Sequence, residues 1–260
     1  IQYSFKEKVF HAQLDVNVNF ANVLFGPKEN YGAGQAVIHF ANNDDWYIYV
    51  GKPDNPVALK LGIKDLSVKT TSYIMAGNKI PAMKNPPAQV IDILHNEAWF
   101  NNREPELFEG KGFAFGSDFN VGTGDLNFLI AYANFSAGVG FDIMLIKTDS
   151  VYCKGDNEPI GLNGWYADGQ VYSYLAGELG VQINLGFIKG KFPIIKTGTA
   201  AMLKGELPNP SVLRGALALK YELLGGMIKG NMNFKFKVGK GCEFVGKDEP
   251  PIDIDILGEN

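Results

Sequence analysis

GQVYSYLAGELGVQINLGF, residues 169–187, divides by parity. The odd positions carry Val171, Leu175, Leu179, Val181, Ile183, Leu185 and Phe187, interrupted by Ser173 and Gly177. The even positions carry Gln170, Tyr172, Tyr174, Glu178, Gln182 and Asn184. Successive side chains of a strand point to opposite faces, so this is a strand with one apolar side. The pattern persists for roughly 18 residues, or roughly 60 Å of unbroken strand. Bulges or bends are expected at Gly177, Gly180 and Gly186.

The same period extends outward. Leu213, Leu217, Leu219, Tyr221 and Leu223 share a face opposite Arg214, Lys220 and Glu222. After Gly225-Gly226, a hairpin signal, Ile228, Met232, Phe234, Phe236 and Val238 alternate with Lys229, Asn231, Asn233, Lys235 and Lys237. Pro208-Asn209-Pro210 reads as a turn, because proline cannot donate to a ladder. Further strands are predicted over residues 10–20, 35–40, 46–50, 57–63, 67–75, 113–119, 126–135 and 137–147. A single helix is expected near 86–98, with Asn85 as its cap and Pro86 in its first turn. Residues 148–163 read as a loop.

These elements predict an all-β fold, a long antiparallel meander whose apolar faces pack as a sandwich or curl into a barrel or half-barrel, with one short helix. The polar faces are then the solvated ones. Residues 1–247 read as one large β domain with a potential subdivision near 100–112, and 248–260 as an acidic linker or edge strand.

Composition narrows the function classes. A net charge of −4 and a pI near 5.5 argue against a nucleic-acid binder. The Lys229–Lys237 row fits a solvated strand face. No apolar run is long enough for a membrane helix, so a transmembrane chain is not expected, and an outer-membrane barrel ranks behind the soluble alternatives. The chain starts at Ile1, which reads as a processed or excised segment.

Catalytic signatures are missing from the sequence. It has no HExxH motif, no Gly-x-Ser-x-Gly elbow and no phosphate-binding glycine loop. No enzyme activity, cofactor or metal is therefore expected. His11, His39 and His95 show no ligand spacing, and Asp118, Asn120 and Asp125 lack the EF-hand pattern. Asp44, Asp45 and Glu106 are loop acids near Trp46 and Trp99, a combination found in glycan sites. Tyr172 and Tyr174 stand on an otherwise polar face and are candidates to meet a partner, or to pair across strands. Cys153 and Cys242 either form a disulfide, as an oxidising compartment would favour, or remain free thiols.

The run Gly164-Trp165-Tyr166-Ala167-Asp168-Gly169-Gln170-Val171-Tyr172 resembles segments of large secreted β-rich surface proteins of Bacteroidetes, as does Gly138–Leu145. The resemblance covers about residues 110–245 and is compositional. It implies an extracellular or cell-surface setting and a multi-domain parent chain, and it transfers no site residues.

The expectation is a non-catalytic structural or interaction module of a secreted bacterial surface protein. Its partners would be another copy or neighbouring domains of a larger chain, with strand addition at open sheet edges as one route. The alternatives are an apolar-ligand (lipid) binding β protein and a glycan-binding module.

Overall fold

The computed structural model describes residues 1–78, 80, 83–95, 111–185 and 188–246. The elements in order are β1 (Gln2–Ser4), β2 (Val9–Asn17), β3 (Asn19–Phe20), β4 (Leu24–Phe25), β5 (Gly32–Phe40), β6 (Trp46–Val50), β7 (Val57–Ile63), β8 (Leu66–Gly77), α1 (Ala88–Leu94), β9 (Lys111–Thr123), β10 (Leu126–Phe128), β11 (Ala131–Lys147), β12 (Val151–Cys153), β13 (Trp165–Leu185), β14 (Ile188–Leu207), β15 (Ser211–Leu223), β16 (Ile228–Lys240) and β17 (Phe244–Gly246). The fold is all-β and antiparallel with one short α-helix, as the alternation dictates.

One 15-stranded sheet dominates, in the order β1-β2-β5-β6-β8-β9-β11-β13-β14-β15-β16. Its two ends do not meet, so it forms no closed barrel. At β8 the sheet forks: Val57–Ile63 pairs with residues 66–72, whereas Tyr47–Val50 pairs with residues 74–77. Gly51, at φ +70°, turns the chain between the two branches, and a Cβ there would lie 2.7 Å from the Val57 amide nitrogen. The expected irregularity at Gly180 is present as a register shift against β14.

Several local expectations are corrected. Residues 126–135 and 137–147 are not two full strands; β10 is a three-residue stub turning into the 17-residue β11. Residues 188–207, unread as a strand in the sequence, form β14, because Lys, Gly, Pro and Thr interrupt its apolar period. The 148–163 loop contains β12, which pairs with β17. The helix starts later than expected, at Ala88, and is preceded by Pro87, with no side-chain cap. Its expected continuation beyond His95 lies outside the described residues, as do the tail from 248 and the region of the potential subdivision up to 110.

The decisive correction concerns the faces. Directly paired residues share a face, so the register assigns each strand. The face with the tyrosines and charges is the covered one. On it α1 packs across β13, β14 and β15, and Val90, Ile93 and Leu94 sit on Tyr172, Tyr174, Ala200, Met202, Ala216 and Ala218. At one end of the same face the β12–β17 pair caps a second cluster built from Tyr73, Met75, Ile80, Met144, Ile146, Ile160, Tyr166 and Phe244. A disulfide between Cys153 and Cys242 staples that cap. The opposite face, which carries the regular apolar row of the sequence, is open among the described residues. No second sheet of this chain packs on it there.

Candidate interaction surface

The covered face is assembled around close glycine–tyrosine pairs. Tyr172 stands opposite Gly140, Tyr174 opposite Gly138, and Tyr73 opposite Gly116. A Cβ built at Gly140 would lie 2.5 Å from the Tyr172 hydroxyl oxygen, and one at Gly138 would lie 2.5 Å from Cε1 of Tyr174. Each tyrosine therefore lies across a glycine and reaches toward the next strand. The Tyr174 hydroxyl donates to Asn120 Oδ1 at 3.0 Å, and that of Tyr73 donates to Asp142 Oδ1 at 3.0 Å.

Carboxylates buried here are bonded. Asp118 accepts from the Thr71 hydroxyl, from Asn120 Nδ2 at 2.6 Å, and from the Lys84 ammonium at 3.2 Å. Gln170 donates to Asp142 Oδ2 at 3.0 Å and to the carbonyl of Lys84 at 2.6 Å. Asp168 and Lys204 face each other at 3.8 Å with both side chains almost fully buried. The contacts of Lys84 with Asp118 and Gln170 lock the segment that leads into α1 onto the sheet. Burial raises the Asp142 carboxyl above its usual range, against the hydrogen bonds from Gln170 and Tyr73. Burial also raises the Tyr172 phenol, reinforced by the charges of Asp118 and Asp142. The hydrogen bond to Glu178 at 2.5 Å pushes the Tyr132 phenol up to about 12. Asp125 is held below the usual carboxylate range by its bond to Lys191.

This arrangement tests the sequence-derived site residues. Tyr172 and Tyr174 are buried under α1, so they pair across strands and do not present themselves to a partner. Asp44, Asp45 and Trp46 form the β5–β6 turn, where Asn78 donates to the Asp44 carbonyl and accepts from the Trp46 amide, and Trp46 stacks on Phe40. Trp99 and Glu106 lie outside the described residues. Asp118 and Asp125 each have a lysine partner. No group of three or more His, Cys, Asp or Glu among the described residues is placed to hold a metal. His11 and His39 are cross-strand neighbours with Nδ1 atoms 3.3 Å apart. A cleft beside α1, floored by Ala176 and Gly198, is rimmed by Asp92, Lys196, Lys220 and Glu222. Lys220 pairs there with Glu222 at 3.6 Å, and no histidine, cysteine or aromatic side chain is among the residues that line the cleft.

The open face is chemically uniform. From β8 to β16 it presents Ile74, Phe113, Phe119, Val139, Phe141, Val171, Leu175, Leu179, Leu217, Leu219, Phe234 and Phe236, all of them exposed. Val139 is 49% exposed, Leu175 53%, Leu217 51% and Phe234 62%, which is far beyond scattered surface hydrophobics. Its only charged side chains on these strands are Lys111, Lys147 and Lys240, all at one end. Hydroxyls on this face bond inward to the sheet. Thr70 donates to the Asp118 carbonyl, Ser117 to the Thr71 carbonyl and Thr199 to the Ala218 carbonyl, at 3.0–3.1 Å. Ser72 and Ser117 pair at 2.9 Å. The face makes little demand on water for hydrogen bonds, which suits burial against another apolar surface.

The sequence carried this surface as its odd-position row but gave no sign that the row stays open. A signal for the covered face was present: Gly138-x-Gly140 and Tyr172-x-Tyr174 have the same spacing, as glycine–aromatic cross-strand pairing requires.

No protein-family model matches the chain, and no curated protein matches it either. No helix among the described residues is long and apolar enough to cross a membrane.

Proposed function

We propose that this chain is a non-catalytic structural module that works by burying its open apolar sheet face against another protein surface, in a secreted or cell-surface setting. The observation that carries the reading is the inversion of the two faces. Polar and charged side chains are built into the covered interior, while the open face is nearly free of charge. Long strands braced by α1 and a stapled cap make a broad, stiff support. The disulfide weakly favours an oxidising, extracellular compartment, in keeping with the resemblance to Bacteroidetes surface proteins.

The same open face favours one competing reading, the carriage of an apolar ligand. Native mass spectrometry of the chain purified without detergent separates the two. The structural reading expects no bound small molecule. A lipid recovered at one or more equivalents per chain would overturn it and place the ligand carrier first.

A further inference from the structure

We infer that the open face is the contact surface for a second copy of this chain, packed face to face as a two-layer sandwich. The inference rests on the structural reading above and names its partner. Two observations point to this occupant. The seven strands β8, β9, β11 and β13–β16 span about 34 Å at ~4.8 Å per strand, and about 11 residues of each contribute about 36 Å, giving roughly 1,200 Å² per copy. A stable interface needs only about 800 Å² per partner, so the face is large enough to hold a dimer alone. Self-association also buries almost no charge, because Lys111, Lys147 and Lys240 lie at one end of the patch and can remain at its rim. Isologous contact about a two-fold axis needs only this self-compatible chemistry.

The alternative occupant, lipid, fits less well. The apolar side of β11 runs from Ala131 to Leu145, 15 positions or about 50 Å, whereas a strand tilted in a bilayer needs about 9–11 residues. The described sheet also ends in open edges, at β1 with the part of β2 beyond it and at β16. In hydrocarbon their backbone N–H and C=O groups would go unsatisfied, but in a water-facing sandwich they are solvated.

The test is sedimentation equilibrium of the full chain, compared with Val139→Lys/Leu175→Lys on the open face and Asn233→Pro on the β16 edge. Far-UV circular dichroism and an intact disulfide establish that each variant is folded. A wild-type dimer, a face variant that is monomeric with at least a hundredfold weaker association, and an edge variant that still dimerises would support the inference. A dimer lost in the edge variant but kept in the face variant would overturn it in favour of strand addition. A folded wild-type monomer at 100 μM would overturn the second copy while leaving the structural reading standing with a different protein partner. Association with phosphatidylcholine vesicles, abolished by the face variant, would overturn both.

Discussion

The two faces of the sheet are built from the same strands by the same alternation, yet they follow opposite rules. The covered face is heterogeneous. Its tyrosines lie on glycines, its acids are matched to donors, and each contact specifies one neighbour. The open face is nearly uniform in chemistry and makes no demand on register or on any particular partner atom. A face of the first kind defines one packing and suits the interior of a single chain. One of the second kind supplies area, and area without specific pairing suits contact with a large flat surface. The contrast separates what holds this molecule together from what it offers to others.

The sharpest break of the contrast is a paired substitution. Val90, on the sheet-facing side of α1, is fully buried, and Val139 is half exposed on the open face. Val90→Asp is expected to cost about 3–5 kcal/mol, because it places a carboxylate in an apolar cluster without a partner. Val139→Asp is expected to cost about 1 kcal/mol or less in the dilute chain, chiefly through strand propensity. Urea unfolding followed by tyrosine and tryptophan fluorescence reads both. Equal losses would mean that the open face is as buried as the covered one.

The fold class was legible because alternation survives in β11, β13, β15 and β16 almost without interruption. β14 was not, since its Lys191, Pro193 and Lys196 blur the period. The assignment of inside and outside failed for a physical reason. Alternation says that two faces differ, and the rule that apolar faces lie inward was then applied without a covering layer to support it. Among the described residues, α1, the segment leading into it and the β12–β17 cap decide which face is covered, and all three choose the tyrosine face. The cysteine pair was named from the sequence as one of two alternatives, and the structure joins it. The acid–tryptophan group could not be judged from sequence, because spacing along the chain says nothing of convergence; the part of it that is described is a hairpin turn.

A middle-sized effect comes from the glycines. Gly140→Val should cost about 1–3 kcal/mol, because the new side chain meets the Tyr172 ring and must displace it from under α1. Loss of near-ultraviolet circular dichroism from the tyrosines together with a lower unfolding midpoint would check this. A variant that keeps both would remove the glycine–tyrosine pairs from the account of the covered face.

The smallest effect is one of pH. Asp142 has a folded value raised by burial, so the charged carboxylate is less favourable in the folded chain than in the unfolded one. Its stabilising contribution is fully present while it is protonated, below the ordinary carboxylate range. It is lost as the pH rises through the raised folded value. Asp142→Asn stays neutral, with its amide able to serve the Tyr73 hydroxyl and its carbonyl able to accept from Gln170. The stability of the wild type relative to this variant should therefore fall as pH rises across the acidic range, by less than the glycine substitution costs. A constant difference across denaturation curves from pH 3.5 to 7 would refute the burial assignment.

The Cys153–Cys242 bond also changes how the molecule would carry a load. All of β13, β14, β15 and β16 lies between its two ends, 89 positions apart in the chain. A pull applied before residue 153 and after residue 242 passes directly across the sulfur bridge. The four strands between them form a covalent bypass that never comes under tension. At ~3.4 Å per extended residue, about 300 Å of contour stays hidden while the bond holds. In an anchored chain subject to shear, the half of the module with the longest strands would be the last to yield, and reduction of one bond would release all of that slack at once.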